Sequence, residues 1–102
     1  MAASKLKTPQ IDKLFEAILL LRDKEECYRF FEDICTVGEV QSMAQRLQVA
    51  EMLMAGNTYT EIAEVTTAST ATISRVKRFL NYGSNGYKII LGRLNPVEEK
   101  KD

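Results

Sequence analysis

Four small or basic side chains follow one another at helical spacing in the second half of the chain: Ala71, Ser74, Arg75 and Arg78. On a helix they lie on the face opposite Ile73 and Leu80. Arginine guanidinium groups form paired hydrogen bonds with guanine edges or phosphate oxygens. A serine hydroxyl can bond a base edge or a phosphate, and an alanine methyl can contact a thymine methyl. This arrangement favours contact with double-stranded DNA through the major groove.

A helix must position this face, and the sequence marks both of its ends. Ser69 is a favourable N-cap and Gly83 a favourable stop, so the helix should run from Thr70 to about Tyr82. Its buried face would consist of Ile73, Val76 and Leu80. Two lysines outside the face would meet phosphates more readily than bases. The predicted DNA-contacting residues are Ser69, Thr70, Ala71, Thr72, Ser74, Arg75, Lys77, Arg78 and Lys88.

A second, shorter helix should precede this one, capped by Thr58 or Thr60. A short helix, a turn of three or four residues and a second helix form a helix-turn-helix, expected here at about residues 59–82. Ala63 would lie where the two helices cross closely. Thr67 occupies the turn position where glycine is usual because φ is positive there. Either the turn has another geometry, or the β-branched residue costs some stability.

The distribution of charge supports a polyanionic partner, although the formal net charge of the chain is zero. Residues 1–64 carry 7 basic and 11 acidic groups, whereas residues 65–97 carry five basic groups and no Asp or Glu. A segment without carboxylates does not repel the phosphate backbone. Charge alone favours a solvated basic helix without a partner, and it is the coincidence with the helix pattern that favours DNA.

The sequence lacks the residues that other kinds of chemistry need. It has no histidine, the most common general base and zinc ligand, and no Gly-rich phosphate loop or nucleophile motif. We therefore predict neither an enzyme nor a metal site. Cys27 and Cys35 form no CxxC pair and are expected to be reduced thiols. Without a long apolar run or a signal-peptide pattern, we expect a cytoplasmic protein with no membrane segment.

Three more helices are predicted upstream of the helix-turn-helix. Thr8 should cap the first and Asp23 the second, and Thr36 should open the longest, at about residues 37–55, which ends at Gly56. The longest helix is apolar on more than one face. Either a second subunit covers the extra face, which we favour, or the rest of the chain wraps around this helix.

Three segments have the residues of a known family: Gln45-Arg46-Leu47 through Glu51-Met52-Leu53, Ala71-Thr72-Ile73-Ser74-Arg75, and the later Gly83-Ser84-Asn85. In these segments the chain resembles the Trp repressor superfamily, and more closely its YerC/YecD branch of regulators. The resemblance covers about residues 36–88. It implies an all-α, intertwined homodimer whose two helix-turn-helix heads read a near-palindromic operator, about one DNA turn apart.

The resemblance also raises the question of a small-molecule corepressor. Two arginines that help to sandwich tryptophan in the Trp repressor match Arg46 and Arg75. The glycine after the second corresponds to Val76, and several residues are inserted after Arg75 relative to the family. Both differences argue against tryptophan as the ligand and leave another effector open. Arg46 is then either a ligand contact or, as we favour slightly, an ion-pair partner of a neighbouring element.

These features predict a helical domain for DNA binding and dimerisation at residues 8–94, between a flexible N-terminus at 1–7 and a polar tail at 95–102. The predicted function is sequence-specific regulation of transcription, with repression favoured. The alternative is a dimeric helical protein-interaction module without specific DNA binding. It is motivated by the acidic first part of the chain and by three apolar residues outside the predicted core: Leu19, Leu20 and Phe79.

Overall fold

The computed structural model describes residues 4–96, and within them it contains six α-helices and no β-strand, which confirms the predicted all-α class. The predictions for residues 1–3 and 97–102 lie outside the described residues. The chain divides into two compact units with their boundary between Val37 and Gly38. The helices are α1 (Pro9–Leu19), α2 (Lys24–Ile34), α3 (Val37–Met54), α4 (Tyr59–Thr66), α5 (Thr70–Tyr82) and α6 (Gly86–Leu94).

Both helices of the first unit begin at the predicted caps. The Thr8 hydroxyl accepts a hydrogen bond from the backbone N–H of Ile11 at 3.2 Å, and the Asp23 carboxylate accepts one from that of Glu26 at 2.8 Å. The Glu26 side chain in turn accepts from the N–H of Arg22, one residue before the position that a capping box uses. These bonds satisfy backbone donors that have no partner inside the helix.

The first unit leaves its apolar residues largely uncovered. No residue of α1 or α2 is buried, and Leu19 and Leu20 are 83% and 77% exposed. Ile11, Leu14 and Ile18, which lie at helical spacing on α1, are only half-buried. Amphipathic helices normally bury their apolar stripe, so these residues are candidates for contact with another surface.

The second unit is organised around a hydrophobic core to which α3, α4, α5 and α6 all contribute. Burying one large aliphatic side chain stabilises a fold by about 1.5–3 kcal/mol, so this cluster holds the four helices together. Gly56 ends α3 with φ at 87°, a conformation that favours glycine. The buried apolar residues are Val49, Ala50, Ile62, Ala68, Ile73, Val76, Leu80 and Leu91.

Helix α3 has close to its predicted extent, but its apolar residues differ in burial. Val49 and Ala50 are completely buried, whereas Met43 and Met54 are 40% and 50% exposed. Within the described residues, the apolar side chains of α3 are therefore only partly buried.

Helix α6 was not predicted as a separate element. It follows Asn85, which adopts a left-handed conformation with φ at 66° and makes no side-chain cap. Leu91 anchors the helix in the core, and the Asn95 side chain donates a hydrogen bond to the Glu51 carboxylate on α3. Among residues 4–96 we find no helix that is both long and apolar enough to cross a membrane.

Candidate nucleic-acid interface

Helix α4 begins at a complete capping box. The Thr58 hydroxyl accepts a hydrogen bond from the Glu61 N–H at 3.2 Å, and the Glu61 carboxylate accepts one from the Thr58 N–H at 2.9 Å. The hydrogen bond from the Thr58 backbone is the main cause of a lowered pKa of Glu61, because it favours the charged carboxylate. Of the two candidate caps, Thr58 is the one used, and it fixes the start of the helix-turn-helix.

The turn between α4 and α5 has the left-handed geometry that usually calls for glycine. Thr67 adopts φ 60° and ψ 12°, and its N–H donates to the carbonyl of Ala63 at 2.9 Å. A left-handed conformation costs a residue with a side chain about 1–2 kcal/mol. Of the two alternatives for Thr67, the structure has the one in which the turn keeps its geometry and the residue is strained.

A network of hydrogen bonds around Thr66 holds this strained turn in place. The buried Thr66 hydroxyl donates to the Ile62 carbonyl at 2.7 Å and accepts from the Ala68 N–H at 3.1 Å. The Thr66 carbonyl accepts from the Gln45 side-chain amide at 3.0 Å and from the Thr67 hydroxyl at 2.6 Å. Through Gln45 the turn is attached to α3. This role was not predicted for Thr66 or Gln45.

The packing of α4 against α5 follows the predicted pattern. Ile62 and Ile73 are completely buried and Val76 is 1% exposed, so these three residues fill the space between the helices. Ala63 packs against the same core and is partly buried. A larger residue at such a close crossing would force the helices apart. The core therefore fixes the orientation of α5.

The first turn of α5 is capped as predicted. The Ser69 hydroxyl accepts from the Thr72 N–H at 3.1 Å and donates to the Thr72 hydroxyl at 3.1 Å. Thr72 is half-buried, and its hydroxyl is occupied by this contact. On the side of the same helix that faces away from the core, the structure exposes Ala71, Ser74, Arg75 and Arg78. Thr70 and Lys77 are also exposed but flank this face, closer to the buried Ile73. Lys88 is also exposed but lies on α6.

Two cations of α5 rest on aromatic rings. The Arg75 Cζ atom lies 5.9 Å from the ring centroid of Phe79, one turn further along the helix. The Lys77 Nζ atom lies 5.7 Å from the ring of Tyr59 at the start of α4. Contacts of this type contribute about 0.5–1 kcal/mol at exposed sites and restrict the side chain. The four-residue spacing of Arg75 and Phe79 was a signal for the first contact.

An open groove of about 510 Å³ lies on the second unit, within the volume range of small-molecule sites. Arg46 lines the groove, and its Nε donates to the carbonyl of Ser42 at 3.3 Å. Arg75 lies outside the lining, and Val76 is in the core. Among residues 4–96, no group of His, Cys, Asp or Glu side chains could hold a metal ion. The groove is lined by Met43, Arg46, Leu47, Phe79, Ser84, Gly86, Tyr87 and Ile90.

A short helix, a left-handed turn and an exposed second helix with a basic outer face define a helix-turn-helix. A family model described as "Trp repressor protein" matches residues 9–95. The chain therefore belongs to the Trp repressor family, and its family and fold are those of DNA-binding regulators.

Individual relatives agree with this assignment. The chain is 57% identical over 98 residues to the uncharacterised protein YerC of Bacillus subtilis strain 168, covering 96% of this chain and 94% of YerC. A crystal structure of a candidate Trp repressor from Staphylococcus aureus is 56% identical, with a TM-score of 0.86 over 89% of this chain and 91% of that one. A TrpR-like protein from Eubacterium eligens is 55% identical, with a TM-score of 0.87 over 93% and 98%.

Proposed function

We propose that this protein is a dimeric, sequence-specific DNA-binding regulator that represses transcription, with α5 as its recognition helix. The observation that carries the proposal is the outward face of α5. It presents small residues in its first turns and Arg75 and Arg78 behind them, and it lies in a segment, residues 65–97, without any carboxylate side chain. The core and the hydrogen-bonded turn at Thr66 hold this face in a fixed orientation.

The predicted contact residues then have roles that follow from their chemistry. Ala71 and Ser74 are small enough for the helix to enter the major groove and contact base edges. Arg75 and Arg78 can form paired hydrogen bonds with guanine or with phosphate. The hydroxyls of Ser69, Thr70 and Thr72 would contact phosphate or base edges at the N-terminus of the helix, after rearrangement where they are engaged. Lys77 and Lys88 would contact phosphate.

The exposed apolar surface of the first unit supports a homodimer. Two amphipathic helices without a single buried residue need a cover, and Leu19 and Leu20 would otherwise remain in water. A twofold dimer also matches the mode of a helix-turn-helix repressor, in which two heads read half-sites about one DNA turn apart. The mass of the protein in solution should be twice the chain mass of 11.6 kDa. We infer repression because a dimer bound at a promoter blocks access by occupancy alone.

The groove beside α5 supports a small-molecule effector other than tryptophan. Arg46 would be its charged contact, while Phe79 and Tyr87 offer aromatic walls. Tryptophan is disfavoured because Val76 replaces the family's glycine and because Arg75 is outside the groove lining. Thermal unfolding with and without tryptophan should therefore show no shift in midpoint, since a ligand that does not bind the folded state cannot stabilise it.

Selection of bound duplexes from a random pool tests the main proposal. We expect a near-palindromic consensus, and an affinity that falls steeply with salt because phosphate contacts release counterions. Arg75→Ala and Arg78→Ala should each weaken binding, by about 1–3 kcal/mol where the arginine contacts guanine. Arg78→Ala should leave the unfolding midpoint unchanged, whereas Arg75→Ala should lower the stability by no more than the about 0.5–1 kcal/mol of its contact with Phe79. Arg29→Ala on α2, whose side chain is 78% exposed and pairs with Glu25, is the matched control and should bind as the parent does.

A second candidate function is a protein-interaction module, which the exposure of Leu19 and Leu20 favours. The same variants separate the two candidates. A protein that selects no sequence and shows no protection of genomic fragments at low salt contradicts the DNA-binding proposal. If a protein partner is recovered equally well by the Arg75→Ala/Arg78→Ala double variant, the interaction module is supported instead.

A further inference from the structure

Tyr82 is the most exposed large apolar side chain among residues 4–96, at 86% exposure. It is the last residue of α5 and was not included among the predicted DNA contacts. Isolated exposed apolar residues are common on protein surfaces and need no explanation by themselves. The exposure of Tyr82 is informative because of the face of α5 on which this residue lies.

Tyr82 continues the same stripe of α5 that carries the proposed DNA contacts. Ala71, Arg75, Arg78 and Tyr82 are spaced by four, three and four residues, so at 100° per residue they fall within about 60° of one another. The stripe faces away from Ile73, which is completely buried. From Ala71 to Tyr82 it extends about 16 Å, at 1.5 Å per residue.

The end of the helix directly after Tyr82 is fixed by Gly83. A Cβ atom at this position would lie 2.3 Å from the carbonyl oxygen of Phe79, a backbone atom that cannot swing aside. The N–H of Gly83 donates to that same carbonyl at 2.9 Å, which closes the last turn. The backbone of Tyr82 is therefore held in the helical conformation, and this fixes the position from which its exposed side chain extends.

We propose that the Tyr82 hydroxyl donates a hydrogen bond to a DNA phosphate at the edge of the major groove. This inference rests on the proposed function. The major groove is about 12 Å wide, so a stripe of about 16 Å whose first turn contacts base edges places its last turn near a sugar-phosphate strand. Tyrosine is one of the side chains that bond phosphate oxygens, and such contacts set the register of the protein on the duplex without reading sequence.

The test compares the parent protein with Tyr82→Phe, Tyr82→Ala and the control Tyr28→Phe. Tyr28 is 61% exposed on α2, outside the helix-turn-helix. Binding is measured by fluorescence anisotropy of a labelled 30-base-pair random-sequence duplex pool over a series of salt concentrations. Light scattering of each variant reports its oligomeric state. A random pool is suitable because a phosphate contact acts on every sequence.

Tyr82→Phe should lower the affinity about 3- to 10-fold, the size expected for one lost hydrogen bond. Tyr82→Ala should lower it at least as much, and Tyr28→Phe should have no effect. The slope of log affinity against log salt should be unchanged in Tyr82→Phe, because the neutral phenol releases no counterion. Arg78→Ala should reduce the slope by about one if its partner is a phosphate.

Parent-like binding by Tyr82→Phe overturns the phosphate contact while leaving the proposed function intact. A loss in Tyr82→Ala alone also overturns it, since the ring and not the hydroxyl would then make the contact. A change of molecular mass in either variant assigns Tyr82 to a subunit interface and overturns the inference as well. If the parent protein binds no duplex at low salt, the proposed function itself fails.

Discussion

Replacing Thr66 by valine should loosen the turn that orients α5, because it removes a buried hydroxyl while keeping the shape of the side chain. Thr66 is 6% exposed. Its hydroxyl makes a hydrogen bond on each side of the turn: it donates to the Ile62 carbonyl in α4 and accepts from the N–H of Ala68 just before α5. Valine can make neither contact.

The expected magnitude follows from what the substitution leaves behind. The Ala68 N–H belongs to a residue that is 5% exposed, and without the Thr66 hydroxyl it loses its partner in the turn. A buried donor without a partner costs about 1–3 kcal/mol. The additional methyl group of valine offsets up to about 0.8 kcal/mol of this cost. We therefore expect the free energy of unfolding to fall by about 1–2 kcal/mol.

Urea unfolding at a fixed protein concentration is the appropriate assay, because the stability of the proposed dimer would depend on concentration. With a slope of about 1–3 kcal/mol per molar urea, a loss of about 1–2 kcal/mol should lower the midpoint by about 0.3–2 M. Thr66→Ser keeps the hydroxyl and loses only a methyl group, so it controls for packing. If the urea midpoint of Thr66→Val equals that of the parent, or is higher than that of Thr66→Ser, the hydrogen bonds of Thr66 do not stabilise the turn and the reasoning is wrong.

Two further predictions concern the same motif. In Thr67→Gly, relief of left-handed strain of about 1–2 kcal/mol outweighs the entropic cost of glycine of about 0.5–1 kcal/mol. The loss of the hydrogen bond that the hydroxyl of the exposed Thr67 donates to the Thr66 carbonyl reduces the gain by about 0.5 kcal/mol. The free energy of unfolding should therefore rise by up to about 1 kcal/mol, and a lower midpoint than that of the parent in urea would contradict the strain. The lowered pKa of Glu61 predicts stability that is present at neutral pH and lost as the pH falls through a folded-state pKa below its ordinary 4.5. Glu61→Gln should show a smaller loss between pH 5 and 3, and an unchanged profile would exclude this contribution.

The parts of the fold that follow from neighbouring residues could be predicted from the sequence. Thr8, Asp23, Thr58 and Ser69 all cap a helix by accepting a bond from the backbone three residues later. Such contacts depend on local sequence alone. The helical spacing of apolar residues likewise predicted the buried face of α5.

The parts that depend on distant residues could not be predicted in this way. The hydrogen bond from Gln45 to the Thr66 carbonyl joins residues 21 positions apart, and no local sequence pattern predicts it. Helix α6 was missed because Gly86 and Gly92 lower its intrinsic helix propensity, and its stability comes from burying Leu91 in the core. The groove beside α5 forms only in the tertiary arrangement of α3, α5 and α6. The sequence could therefore predict Arg46 as a possible ligand contact but not the residues that surround it.

Arg75 had two competing roles, as a DNA contact and as a ligand contact, and the structure bears on the choice between them. Its guanidinium lies over one face of Phe79, while Phe79 also lines the groove that contains Arg46. Arg75 itself is exposed and outside the lining. Contact with a groove ligand would require the side chain to leave its aromatic support, whereas contact with DNA uses the face on which it already lies. Breaking the contact between Arg75 and Phe79 would cost only about 0.5–1 kcal/mol, but contact with DNA does not require this contact to break. We therefore favour the DNA contact for Arg75 and leave Arg46 as the charged residue of the groove.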